Sequence, residues 1–201
     1  MHIKHNDTDL DFQALQELAG NLLSVGDLEK AEKYYEKAAQ LDADHATPYV
    51  GIGTIALHKN RLDEALLAFK VARRLDPNCC QAYEGLGKIA LKNKNYETAI
   101  EMYLKCLELD TDNLNALLGL FQASSQMGSF AKIIHYLQVY LGMHPGDVAV
   151  MFSLATLYIK ENRYEKSKKM LQDILAVCPD NKDAENLLEE VKQNLTTPIS
   201  I

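Results

Sequence analysis

Apolar residues recur along this chain at two helical spacings that alternate. Leu15, Leu18 and Leu22 are followed by Leu28, Ala31, Tyr35 and Ala38. Residues three and four apart share one face of a helix, so each group predicts one short amphipathic helix. The same pair of groups then recurs downstream with no insertion. Ala31, Ala65, Ala99, Ile133 and Ser167 stand in register at steps of 34 residues. The register predicts five contiguous repeats, 12–45, 46–79, 80–113, 114–147 and 148–181, each a helix A followed by a helix B.

Numbering positions from the first residue of each repeat makes the packing legible. Position 4 reads Leu15, Tyr49, Tyr83, Leu117, Met151, and position 7 reads Leu18, Ile52, Leu86, Leu120, Leu154. Position 8 is small in four repeats (Ala19, Gly53, Gly87, Ala155) and is Phe121 in the fourth. Position 24 reads Tyr35, Phe69, Tyr103, Leu137, Leu171. Small residues at 8 and 20 let two helix backbones approach, while larger neighbours fill the gaps. Proline at position 32 (Pro77, Pro145, Pro179) cannot continue helix B and helps end it.

This pattern resembles the tetratricopeptide repeat (TPR) family. The matches are the 34-residue period, the small residue at 8, Ala at 20, the aromatic at 24 and Pro at 32. The resemblance implies an all-α fold, a right-handed α-α superhelix with a concave groove lined by helix A. Residues 182–195 begin like a sixth helix A, with an apolar stripe at Ala184, Leu187, Leu188, Val191 and Leu195. Glu189 stands where a following helix would require a small residue, so this segment is expected to cap the stack. Residues 1–11 and 196–201 are expected to be flexible tails.

In the family, positions 2, 5, 9, 12 and 13 face ligand, which makes the corresponding residues candidates here. Position 5 gives Gln16, Val50, Glu84, Leu118 and Phe152; position 9 gives Thr54, Lys88, Gln122 and Thr156. Position 12 gives Leu57, Leu91 and Ile159, and position 13 gives His58, Lys92 and Lys160. The apolar members suit an extended or helical peptide with apolar anchors, or else they pack against neighbouring helices. Lys88, Lys92 and Lys160 can meet an acidic group, or lie on a solvated face. The family's two-carboxylate clamp is not supported. Position 5 is never Lys, position 9 is never Asn, and position 6 reads Glu17, Gly51, Gly85, Gly119, Ser153.

Repeat four departs most from the pattern, with Phe121 in place of a small residue at position 8, Ile133 in place of Ala at 20 and Tyr140 in place of Ala at 27. Overpacking there is either compensated by neighbours or changes the local pitch.

Composition adds limits. The chain has 47% hydrophobic and 24% charged residues, as expected for a folded protein. Its net charge is −7, and residues 1–45 carry four Lys/Arg against ten Asp/Glu. No segment has the basic excess that a phosphate backbone requires, so no nucleic-acid partner is expected. No apolar run reaches the length of a membrane span, and no direct membrane insertion is expected. The polar N-terminus lacks a signal-peptide core, so a cytoplasmic location is expected.

The cysteines Cys79, Cys80, Cys106 and Cys178 form no CxxC pair and have no His at zinc spacing. They read as reduced thiols, with Cys106 acting as a small hydrophobe. No metal, no cofactor and no catalytic constellation is expected, so the chain reads as a non-enzyme. The expected function is a protein–protein interaction adaptor that binds a partner's peptide or helix in the groove. The alternative is a homo-oligomeric scaffold built by array-to-array docking, as in organelle-coating bacterial members of the family.

Overall fold

The computed structural model describes residues 11–196. The two expected tails, apart from Asp11 and Thr196, lie outside the described residues. Among these residues the fold is all-α. Its helices are α1 (Phe12–Ser24), α2 (Leu28–Leu41), α3 (Ala46–His58), α4 (Leu62–Leu75), α5 (Cys80–Lys92) and α6 (Tyr96–Leu109). They continue with α7 (Leu114–Met127), α8 (Ala131–Met143), α9 (Val148–Lys160), α10 (Tyr164–Val177) and α11 (Lys182–Thr196). The chain divides into two compact units, one ending at Ala123 and the other starting at Ser124. The division falls within α7, in the repeat that departs most from the pattern.

Local chemistry sets the helix boundaries. The residue before each helix A is Asp11, His45, Cys79, Asn113, Asp147 or Asn181. Asp11 Oδ1 accepts from Ala14 N at 2.8 Å, Asn113 Oδ1 from Ala116 N at 2.8 Å, and Asp147 Oδ1 from Val150 N at 3.1 Å. Each bond satisfies a backbone donor that the first helical turn leaves unpaired.

Helix A ends in the same way in all five repeats, with position 15 in the left-handed region: Gly26, Asn60, Lys94, Gly128 and Asn162. The next residue's N–H then reaches back to close the helix end, as Asn95 N does on Ala90 O at 2.9 Å. Glycine and asparagine tolerate this conformation, whereas Lys94 (φ 58°) carries the strain of its Cβ.

In the N-terminal unit, α1, α3 and α5 touch their partners α2, α4 and α6, and α2 and α4 also touch the next helix A. The aromatic at position 24 makes that second contact. Gly51 has no room for a Cβ because the Tyr35 ring covers it; Phe69 covers Gly85, and Tyr103 covers Gly119. Two of the rings also lie close to a glycine of their own repeat. A Cβ on Gly53 would lie 2.9 Å from Phe69, and one on Gly87 would lie 2.8 Å from Tyr103. Phe69 and Tyr103 are thus held between a position-8 glycine of their own repeat and a position-6 glycine of the next. Both rings are almost fully buried, which contributes roughly 2–3 kcal/mol each.

The C-terminal unit is packed differently. Leu137 and Leu171 occupy position 24, and the next position 6 carries a side chain, Ser153 or Leu187. Ile133 is fully buried, and Tyr140 is 7% exposed. The Tyr140 hydroxyl donates to Asp147 Oδ2 at 3.2 Å, and its ring lies 4.5 Å from that of His144. The larger residue therefore extends along the turn to the cap of α9. α11 buries Ala184, Leu188 and Val191 against Leu171 and Ile174 of α10.

The cysteine expectation needs correction. Cys80 and Cys106 are joined by a disulfide, whereas Cys79 and Cys178 are free thiols. The two are 26 residues apart in sequence, but positions 1 and 27 meet where helix B ends beside the start of helix A.

Two stability predictions follow from this packing. Gly119→Ala pushes into the Tyr103 ring and is expected to lower unfolding free energy by roughly 1–3 kcal/mol. Gly142→Ala, with open space around it, is expected to change stability by less than about 1 kcal/mol. Urea denaturation of the two variants checks the contrast. In the same assay Lys94→Gly is expected to raise stability by about 0.5–1 kcal/mol by relieving the left-handed strain.

Candidate functional site

In the N-terminal unit, helix A of repeats two and three and the first part of α7 border a groove of about 640 Å3. Gly85 and the Phe69 ring both line it, and the ring fills the space that a Cβ on Gly85 would need. Around this hollow stand Val50, Thr54, Leu57 and His58 of α3, Glu84, Lys88, Leu91 and Lys92 of α5, and Gln122 of α7. These are candidate residues from positions 5, 9, 12 and 13, and the structure brings them together.

The groove is apolar at its floor and polar at its rim. Val50 and Leu57 are half-buried against Ala56, Phe69 and Leu86. Thr54 is internally satisfied, its hydroxyl donating to Val50 O at 2.8 Å. Glu84 is held from two sides, by an ion pair with Lys88 and by Asn113 Nδ2 at 3.4 Å. Lys92 Nζ donates to Asn60 Oδ1 at 3.3 Å, a neutral amide, so its charge stays uncompensated by that contact. The Tyr103 phenol is pushed well above the usual tyrosine range, first by burial and then by the Glu84 carboxylate. It therefore stays protonated in any ordinary buffer.

Other candidates lie elsewhere. Gln16 is half-buried on α1 and does not line this groove. Leu118 is 57% exposed, an open apolar side chain on α7. In the C-terminal unit, Phe152 and Ile159 pack against the cluster of Met151, Ala155 and Leu171. The Thr156 hydroxyl donates to Phe152 O at 2.9 Å, and the Lys160 ammonium lies 5.3 Å from the centre of the Phe130 ring. Phe152 and Ile159 thus take much of their contact from the core.

Sequence reasoning missed Gln81 and Asn115, which also line the groove. Both are at position 2, which the family pattern includes. Asn60 was beyond that pattern, because it belongs to the turn after helix A. Among the described residues, no helix is long and apolar enough to cross a membrane, and no cluster of His, Cys, Asp and Glu could hold a metal ion.

Tetratricopeptide repeat models match residues 17–78, 81–113 and 124–191. The chain is similar to the Protein CTR9 homolog of Arabidopsis thaliana, 25% identical over 155 residues. That match covers 77% of this chain and spans only 11% of the plant protein. Among solved structures, YrrB, a TPR protein with an unusual peptide-binding site, is 23% identical with a TM-score of 0.67. The likeness covers 89% of this chain and 92% of that one. The MamA protein is 18% identical with a TM-score of 0.66, over 94% of this chain and 98% of its own. These likenesses show the fold, a solenoid of helix pairs. With the three models matched along its length, the chain belongs to the tetratricopeptide repeat family.

Proposed function

We propose that this protein is a non-enzymatic interaction module that takes an extended or helical segment of a partner protein in the groove between α3, α5 and α7. The observation that carries the reading is the groove itself. Three successive repeats contribute to it, its floor is apolar, and its rim offers amides and an ammonium group. Such a surface suits a peptide whose apolar side chains enter the floor while its backbone meets the rim. YrrB, with its peptide-binding site, supports the use of this fold for that purpose. Candidates outside the groove, Gln16 and Leu118 in the N-terminal unit and Phe152, Thr156, Ile159 and Lys160 in the C-terminal unit, are proposed as secondary contacts.

The test is a selection of random twelve-residue peptides on the purified chain, followed by affinity measurements on the selected peptides. Thr54→Trp fills the groove; Leu67→Asp changes a side chain on α4 that is 68% exposed. With both variants shown to be folded by circular dichroism, Thr54→Trp is expected to weaken binding at least tenfold and Leu67→Asp to leave it unchanged. The reverse pattern moves the site to helix B. If no peptide is selected and the mass rises with concentration in sedimentation, array-to-array docking replaces this reading.

A further inference from the structure

Cys80 and Cys106 occupy a structurally informative pair of positions. Position 27 is Ala38 and Ala72 in the first two repeats, so Cys106 adds one sulfur to a site that those repeats fill with a methyl group. The Cα atoms of Cys80 and Cys106 are 4.5 Å apart, within the span that a disulfide bridges, so the backbone already holds the pair in range. Cys106 is fully buried and Cys80 is 8% exposed at the first residue of α5. The neighbouring Cys79 thiol is turned elsewhere, with its sulfur 3.6 Å from Gln81 Oε1.

The pair also touches the groove. Asn113 Nδ2 lies 3.4 Å from Cys80 Sγ and 3.4 Å from Glu84 Oε2, while its Oδ1 caps α7 through Ala116 N. One amide therefore connects the sulfur pair, a carboxylate of the groove wall and the first turn of the helix that carries Asn115 and Gln122.

We propose that Cys80 and Cys106 are an oxidative modification site, a reversible staple whose closure fixes the first turn of α7 against α5 and so sets the groove. The oxidant is a small-molecule disulfide of the glutathione class. The Cys80 thiolate, to which Asn113 Nδ2 donates, attacks one of its sulfurs. That S–S bond breaks, one small thiolate leaves, and a mixed disulfide forms on Cys80. The Cys106 thiolate then attacks Cys80 Sγ and expels the second small thiolate. The two cysteine thiols lose two electrons and two protons, and the small disulfide gains both as two thiols. An excess of the small thiol runs the sequence backwards. The modification stands independently of the groove reading; its effect on binding rests on that reading.

The test equilibrates the full chain with mixtures of reduced and oxidised glutathione, quenches in acid, unfolds, alkylates and weighs it. At the oxidising end, two of the four cysteines are expected to escape alkylation, with fragmentation showing a Cys80–Cys106 link and an alkylated Cys79. Oxidised protein is expected to melt about 5–10 °C above reduced protein. Its amides at 114–117 are expected to exchange at least tenfold more slowly. Cys106→Ala, the residue of repeats one and two, is expected to abolish both differences while remaining folded. Four alkylated cysteines at every ratio, or a link through Cys79 or Cys178, overturns the site. Equal exchange at 114–117 in the two states overturns its connection to α7. A peptide from the selection above is expected to differ at least threefold in affinity between the two redox states. Equal affinity with the link formed overturns only the effect on the groove, and failure to select any peptide counts against the groove alone.

Discussion

Each repeat of the N-terminal unit is held to the next by an aromatic ring lying on a glycine. Tyr35, Phe69 and Tyr103 close over Gly51, Gly85 and Gly119 of the following helix A. The contact requires both partners. A side chain at position 6 would occupy the volume of the ring, and a smaller residue at position 24 would leave a cavity. The residues along the chain follow this rule. Where position 24 is aromatic the next position 6 is glycine, and where it is Leu137 or Leu171 the next position 6 is Ser153 or Leu187.

The groove depends on the same contact. At Gly85 the glycine and the ring seated on it both line the groove, and the side chains at positions 5, 9, 12 and 13 form its walls. A packing rule between repeats thus shapes the surface offered to a partner. Asn113 adds the polar equivalent by capping α7 while holding Glu84 of the neighbouring helix A.

Much of the fold was legible because it is repeated. A 34-residue period with apolar residues at fixed positions specifies helix, turn and helix, and the helices begin at 12, 46, 80, 114, 148 and 182 in that register. The walls of the groove were legible for the same reason, from Val50 to Gln122. What the pattern hid was pairwise. The position-6 glycines were read for the charged groups they lack, and their use as seats for rings became visible only once helix B lay beside the next helix A. Phe152 and Ile159 are groove candidates by position and also touch the core, a contact that periodicity alone leaves open. The Cys80–Cys106 pair was hidden because it depends on where a helix end meets another helix start. In repeat four, the bulk of Tyr140 is directed along the turn towards Asp147, a route that side-chain volume alone did not show.

The central claim is that ring and glycine act as one unit. A double-mutant cycle on Phe69 and Gly85, read by urea denaturation, tests it most directly. Gly85→Ala alone is expected to be destabilising by roughly 1–3 kcal/mol. In a Phe69→Leu background the same change is expected to lose most of that effect, because the smaller side chain leaves room for the methyl group. A coupling of at least about 1 kcal/mol supports the account. Additive effects of the two substitutions would contradict it, since the glycine would then be needed for some reason other than the ring.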